Sequence, residues 1–297
     1  MSLRLEMLQV ARLAPKVLGA SVDLVRNFLR AQQNDDGGFR DRTGQSDLYY
    51  TVFGLDGLIA LQAPRPIEQT AAYLKTFADG EGLDFVHLCC LARCWAALGL
   101  DSTKCRETNL GEPILRRLEC FRAGDGGYNP APGNRWGTAY GCFLALGAYQ
   151  DLNTALPEPE RLIECLQQLR TPDGAWANER NLKVGSTNAT AAALTVLRNL
   201  AVPAESRTGD WLLARCHPEG GFLAAPKAPL PDLLSTATAL HALAGLQVSF
   251  EQAKESCLDF IDSLWTNEGG FHGHWSDDHL DGEYTFYGLL ALGHLSL

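Results

Sequence analysis

The side chains best suited to chemistry fall into three groups. The densest lies near the C-terminus, where His272, His274, Asp277, Asp278, His279, Asp281 and Glu283 crowd together. His272 and His274 alternate as ligands on an extended loop do, and such nitrogen and oxygen donors suit a hard or borderline cation. If a metal is held, zinc or magnesium, its expected ligands are Asp281, Glu283 and His272. A polar loop ending in a helix cap accounts for the same residues. The second group is spread out: Asp47, Asp84, Asp232 and Asp281 each precede an apolar helical run. An aspartate there accepts from free N–H groups and offsets the helix dipole, typically worth about 0.5–2 kcal/mol. A ring of carboxylates could also do acid–base work, as in hydrolases whose two carboxylates stand roughly 5–9.5 Å apart. In the third group, His87, Cys90 and Cys94 share one helical face at i, i+3 and i+7. That spacing suits a metal, but Leu88, Leu91 and Trp95 around it favour buried core thiols.

Aromatic residues accompany these groups. Tyr49, Tyr50, Phe53, Trp136, Tyr140, Tyr284, Phe286 and Tyr287 all fall at or just inside the starts of apolar helical runs. Walls of this kind suit a long apolar ligand, and their π faces stabilise a developing cation. Simple packing would use the same residues.

The elements that must position these side chains recur along the chain. Asn34–Leu61 contains a polar turn ending Gly37-Gly38-Phe39, then Asp47, Thr51 and an apolar run. The turn returns as DGGY at Asp125–Tyr128, DGAW at Asp173–Trp176, and EGGF at Glu219–Phe222 and Glu268–Phe271. The later copies are 48, 46 and 49 residues apart, and a degenerate copy at Asp79–Leu91 fills the longer first gap. A period in this range calls for a repeat architecture. Each repeat begins with an amphipathic helix (Val22–Gln33, Ile114–Arg122, Arg161–Arg170, Cys257–Trp265) before the glycine turn. A second helix then starts near Asp47, Asp84, Trp136, Ser186, Asp232 and Asp281 in turn. Thr187–Leu197, Ser235–Leu246 and Tyr284–Leu295 are apolar nearly all round, as buried helices are. Two concentric layers follow, giving an all-α fold of six helical hairpins closed into an α/α toroid over 1–297. An open solenoid of the same hairpins is the alternative. The inner helices run parallel, so their N-termini meet at one mouth.

Composition narrows the function classes. Hydrophobic residues make up 46% and charged ones 20%, as in soluble globular proteins, and the net charge of −10 without a basic run argues against nucleic acid. No apolar stretch is long enough for a membrane helix. Leu3–Leu13 interrupts its apolar pattern with Arg4, Glu6 and Arg12, so it reads as an amphipathic helix rather than a signal peptide. Nine cysteines, mostly within helices, read as reduced thiols, hence a cytoplasmic setting.

The Gly-Gly-aromatic turn, the helix-start Asp and the Thr four positions later resemble the prenyltransferase and squalene-cyclase repeat, which includes the β subunits of protein prenyltransferases. GGFRDRTGQSDLYYTVFGLDGL at Gly37–Leu58 is especially similar to a geranylgeranyltransferase β repeat. The resemblance implies a catalytic zinc held by Asp-x-Cys and a His in the next repeat. Here Asp47 and Tyr49 with His87 lack the Cys, and Asp281 with Glu283 opposite Tyr50 lacks Cys and His. It also implies that Arg42 stands at the family's arginine, that Tyr49 and Tyr284 lie near the diphosphate and reacting carbon, and that Tyr287 replaces an isoprenoid-stacking tryptophan. The family's lysine position carries Gly44 or Asp278, leaving Arg135 and Lys183 as further cations. The Asp-x-Asp-Asp acid of squalene-type cyclases is absent, while DGAW after Gln167 and Gln168 matches their structural Gln…Trp signature.

The expectation is a prenyltransferase-β-like protein holding an isoprenoid or isoprenyl diphosphate in an aromatic cavity lined by Tyr49, Tyr50, Phe53, Trp136, Tyr140 and Tyr287. Prenyl transfer would use Arg42 and Tyr284 on the diphosphate, with Asp281 and Glu283 as metal or base carboxylates. An α-subunit-like or homo-oligomeric partner fits the resemblance. A non-catalytic binding scaffold and a toroid hydrolase with two rim carboxylates are the alternatives.

Overall fold

The computed structural model describes residues 2–99 and 111–297. Each repeat contributes one outer and one inner helix. The outer set is α3 (Val22–Ala31), α5 (Ile67–Lys75), α7 (Gly111–Glu119), α9 (Pro159–Gln168), α11 (Ser206–Leu213) and α13 (Lys254–Leu264). The inner set is α4 (Leu48–Ala60), α6 (Phe85–Ala97), α8 (Ala139–Asp151), α10 (Thr187–Asn199), α12 (Leu233–Gly245) and α14 (Gly282–Leu295). Every inner helix packs on the next, and α14 packs on α4, so the ring is closed. The toroid is therefore present and the open solenoid is not.

The glycine turns perform the same closure in the outer layer. Gly37 has φ +95°, and a Cβ there would lie 2.2 Å from the Gln69 carbonyl oxygen on α5. At the other end Gly269, φ +92°, meets the Leu24 carbonyl oxygen on α3 in the same way, at 2.3 Å. Both of these turns thus sit directly on the next outer helix, the last on the first, and only glycine offers there both the backbone conformation and the clearance.

The aromatic after each turn is a wedge between layers. Phe39, Tyr128, Trp176, Phe222 and Phe271 are all buried. The repeated threonine holds the wedge in place: Thr51 Oγ1 accepts from Phe39 N at 3.0 Å and donates to the Asp47 carbonyl at 2.6 Å. Thr236 does the same between Phe222 N and Asp232 O. Small residues on the inner helices make room for the ring, since a Cβ on Gly54 would fall 2.1 Å from Phe39. Short antiparallel pairs, β1 (Phe39–Arg40) with β2 (Ser46–Asp47) and β3 (Phe222–Leu223) with β4 (Pro231–Asp232), fasten two of the loops.

Two further helices lie outside the repeat, α1 (Leu3–Ala11) and the short α2 (Pro15–Leu18). The amphipathic N-terminal segment does not lie on the outer surface. It packs against α4, α8 and α14 at their C-terminal ends, with Leu3, Met7, Leu8 and Ala11 buried. Charged pairs fix it there: Arg4 Nε to Asp151 at 3.0 Å, and Glu6 to Arg198. The barrel is open at the mouth and stoppered at the other end.

Candidate functional site

All six inner helices begin on a capping side chain: Asp47, Asp84, Thr138, Ser186, Asp232 and Asp281. The third start is at Thr138, two residues beyond Trp136, because the threonine hydroxyl accepts from Gly141 N at 2.9 Å. These caps set the helices in register, so equivalent positions form layers across the cavity. The second residues are Tyr49, Val86, Tyr140, Asn188, Leu234 and Glu283. The sixth are Phe53, Cys90, Leu144, Ala192, Thr238 and Tyr287, and the ninth are Asp56, Arg93, Gly147, Thr195, His241 and Leu290. At 1.5 Å rise per residue, the second and ninth layers are about 10 Å apart.

The cavity encloses about 400 Å³. All six sixth-layer residues line it, together with Tyr49, Tyr140, Val52, Phe143 and, from α1, Leu3, Arg4 and Met7. Its aromatic wall is continuous from α4 to α14. Tyr49 meets Phe53 edge-on with centroids 4.9 Å apart, and Phe53 meets Tyr287 at 5.4 Å. Phe286 is buried behind this wall, 5.9 Å from Phe53.

Glu283 lies one hydrogen bond behind the cavity wall, through Tyr49. Its Oε1 accepts the Tyr49 hydroxyl at 2.6 Å. Burial pushes its carboxyl up to about 7, with the Tyr49 hydrogen bond opposing and the Asp281 charge reinforcing the shift. It is therefore divided between acid and base near neutral pH. Asp281 is employed otherwise: its carboxylate accepts from Tyr284 N at 2.8 Å and from Arg42 Nε at 2.8 Å. Burial raises its pKa as well, against those two bonds. Arg42 is also paired with Asp277 at 2.9 Å and lies 5.4 Å from the Tyr284 ring. Its charge is thus answered twice before any ligand arrives.

His87 bridges two helix caps, with Nε2 3.0 Å from Asp47 and Nδ1 2.8 Å from Asp84. Those carboxylates, Asp47 foremost, raise it to about 9 against the cost of burial, so it is an imidazolium at neutral pH. Both nitrogens are then protonated, and Tyr49, where a thiolate would be needed, points to Glu283. The residues present do not fit the zinc of the protein prenyltransferases. The structure does not bring Asp281, Glu283 and His272 together either: His272 Nδ1 is 3.1 Å from the His279 carbonyl oxygen. Among the described residues no three His, Cys, Asp or Glu side chains are grouped to hold a metal ion. Cys90 and Cys94 are buried, and Cys90 faces the cavity.

Tyr49, Phe53, Tyr140 and Tyr287 line the cavity, whereas Tyr50, Arg42, Asp281, Glu283, Tyr284 and Trp136 do not; Glu283 is tied to it through the Tyr49 hydroxyl. Trp136 lies on the rim between Arg135 and Arg180, whose guanidinium carbons are 4.5 and 3.8 Å from its ring centroid. Missed by sequence reasoning were Asp56 and Arg93, paired at 2.6 Å inside the barrel, together with His241 and the floor formed by α1. A charged pair inside otherwise apolar helical runs was the available signal.

The comparisons agree with this fold. The prenyltransferase alpha-alpha toroid domain matches residues 13–92 and 188–295. No curated protein sequence matches the chain. Among solved structures, a type II terpene cyclase from Scytonema, in complex with geranylgeranyl dihydroxybenzoate as substrate, has a TM-score of 0.63 at 14% identity; the alignment covers 95% of this chain and 97% of that one. Candida albicans protein geranylgeranyltransferase-I, complexed with GGPP, has a TM-score of 0.57 at 16% identity, covering 98% and 82%. An unsaturated glucuronyl hydrolase from a Bacillus species has a TM-score of 0.60 at 16% identity, covering 95% and 96%. At these identities the likeness speaks for the fold alone.

Proposed function

The chain belongs to the prenyltransferase alpha-alpha toroid family, and from that premise we propose that its central cavity binds an isoprenoid and that Glu283 moves a proton at the cavity mouth. The observation that carries this reading is one arrangement: a carboxyl with a pKa of about 7, hydrogen-bonded to Tyr49, at the head of the wall Tyr49–Phe53–Tyr287. A volume of about 400 Å³ lies within the range of small-molecule sites. Aromatic faces along its length stabilise positive charge developing on an alkene or allylic carbon. A general acid or base works best with a pKa near the working pH. Protonated Glu283 can donate its proton from Oε to an oxygen such as that of an opening epoxide; ionised, it can accept one from an incoming hydroxyl or thiol. The structural neighbour from Scytonema, in complex with geranylgeranyl dihydroxybenzoate as substrate, is consistent with an isoprenoid in this cavity.

The electrostatics of the rim favour a ligand without a free diphosphate on the α4–α14 side. Among the described residues Asp47, Asp84, Asp277, Asp281 and Glu283 there outnumber the cationic groups beside them, Arg42, His87 and, next to Asp277, His279, and Arg42 and His87 are already paired. Prenyl transfer from a diphosphate is the second reading, and one observation favours it: Arg135 and Arg180, stacked on Trp136 at the α8 side of the mouth, have ring contacts rather than carboxylate partners in the described structure. Titration with farnesol and with farnesyl diphosphate separates the two. Tighter binding of the alcohol supports the first reading, tighter binding of the diphosphate the second, and binding of neither removes both.

A further inference from the structure

The mouth of the cavity differs from one side to the other. Along one half of it run the loops that precede α8, α10 and α12, residues 129–137, 177–185 and 223–230. Asn178 ties the second loop to the start of α8, its carbonyl accepting from Ala139 N at 3.2 Å and its Oδ1 from Tyr140 N at 3.0 Å. Ala224 ties the third loop to the start of α10, its carbonyl accepting from Thr187 N at 2.9 Å. Arg180 stacks on Trp136 across the first seam, 3.8 Å from the ring centroid. The three loops therefore make one continuous stretch of rim.

This stretch is both apolar and basic. Leu182 and Val184 are 55% and 53% exposed, more than any other large hydrophobic side chain described except the terminal Leu297. Trp136 and Tyr140, on the adjoining loop and helix start, are each more than a third exposed. Scattered surface hydrophobics are ordinary, but four on adjoining segments at a cavity entrance mark a contact surface. The charged residues of the three loops are Arg135, Arg180, Lys183 and Lys227, against the single acid Glu179. The chain as a whole carries a net charge of −10. On the other half of the rim, the loops before α4, α6 and α14 hold Asp41, Asp79, Glu81, Asp277 and Asp278 with Arg40, Arg42 and three histidines.

We infer that the basic half of the mouth docks on an anionic lipid surface. Leu182, Val184, Trp136 and Tyr140 enter the interfacial region, and the four cations meet the headgroups. Aromatic rings with one polar edge suit that boundary, as do long cationic side chains that carry their charge past an apolar stem. An anionic leaflet strengthens binding roughly fivefold for each Lys or Arg held near it. The acidic half of the rim is repelled by the same surface, so the molecule lies tilted, with the α10 side against the lipid. A second copy of the chain is the other apolar surface at hand, but a two-fold contact through this patch would set cation against cation. Tyr140 stands on the rim and also lines the cavity, which lets an apolar ligand pass from bilayer to cavity without crossing water. That delivery rests on the isoprenoid reading of the cavity, whereas the docking rests on exposure and charge alone.

The test is cosedimentation of the full chain with sucrose-loaded vesicles, one set of phosphatidylcholine alone and one of phosphatidylcholine mixed with phosphatidylglycerol. The mixed vesicles are expected to bind the protein about tenfold more tightly or better, with a preference that falls as salt is raised. Leu182→Ser combined with Val184→Ser should weaken that binding about tenfold, and Lys183→Glu should weaken it at least as much. Both variants should keep the melting temperature, since all three side chains are exposed. Equal binding to the two vesicle sets, binding to neither, or unimpaired binding by the serine variant overturns the inference. So does a dimer in sedimentation velocity that the serine changes dissociate, which would assign the patch to a second copy. The vesicle comparison on the unaltered protein does not depend on any variant folding. No isoprenoid enters the experiment, so its failure leaves the reading of the cavity standing.

Discussion

The Tyr49 hydroxyl donates to Glu283 Oε1 at 2.6 Å, joining the first turn of the first inner helix to the first turn of the last. The bond lies where the ring closes, between residues 234 positions apart, and at the edge of the cavity. It links closure of the fold to the proposed chemistry: the tyrosine that begins the aromatic wall also tunes the carboxyl above it.

Removing that donor should move the carboxyl. The Tyr49 hydroxyl stabilises ionised Glu283 and so holds its pKa down against burial. Tyr49→Phe is expected to raise the pKa above about 7, read by NMR of labelled glutamate carboxyls across a pH series. An unchanged or lowered value would contradict the assigned role.

Glu283 should also leave a mark on stability. Its folded pKa of about 7 exceeds the ordinary 4.5, so its favourable contribution is complete below pH 4.5 and is lost as pH rises to about 7. Glu283→Gln, permanently neutral, should match the unaltered protein near pH 4.5 and melt at a higher temperature at pH 8. A variant that melts lower at pH 8 would mean that the carboxylate is not destabilised by burial.

His87 acts in the next pH window. Raised to about 9 by Asp47 and Asp84, it contributes stability fully below pH 6.5, and that contribution is lost as pH climbs through about 9. His87→Gln should be less stable than the unaltered protein at pH 6 and nearly equal to it at pH 10. Thermal melts at the two pH values check this, and a constant difference would show that the imidazolium contributes nothing.

The stopper has its own test. Gly293 lies near the end of α14, and a Cβ there would fall 2.1 Å from the Val10 carbonyl oxygen. Gly293→Ala should gain helix propensity of about 1 kcal/mol, yet displace α1 and lower the melting temperature. Limited proteolysis should then cut within the first fifteen or so residues sooner than in the unaltered protein. Equal protection would show that α1 tolerates the shift.

Much of this was legible in the sequence. The spacing of the Gly-Gly-aromatic turns is the repeat itself, and the aspartates at 47, 84, 232 and 281 do cap the inner helices. The four outer helices read from their apolar pattern each end one to three residues earlier than that pattern continues, because the chain must straighten into the glycine turn. The layer register was less visible, since it depends on six caps adding to the same helical phase. Tyr50 reads like Tyr49 in sequence, yet one helical step of 100° turns it away from the cavity. The floor could not be read at all: the amphipathic pattern of Leu3–Leu13 does not reveal that its partners are Asp151, Arg198 and His241, more than a hundred residues away. Arg93 and Asp56 show as charges in apolar helices, but only ring closure tells which way they face.

The central claim is that the enclosed space is a binding site for an isoprenoid, and Gly147 tests it most directly. This residue lines the cavity on α8, and a Cβ built there meets nothing within 4 Å. Gly147→Leu should therefore fill the cavity from a helical position that accepts a side chain without strain. Calorimetric titration with farnesol should give saturable one-to-one binding for the unaltered protein and none for Gly147→Leu, with the variant melting at the same or a higher temperature. Absence of binding to the unaltered protein, or equal binding to both, would contradict the account.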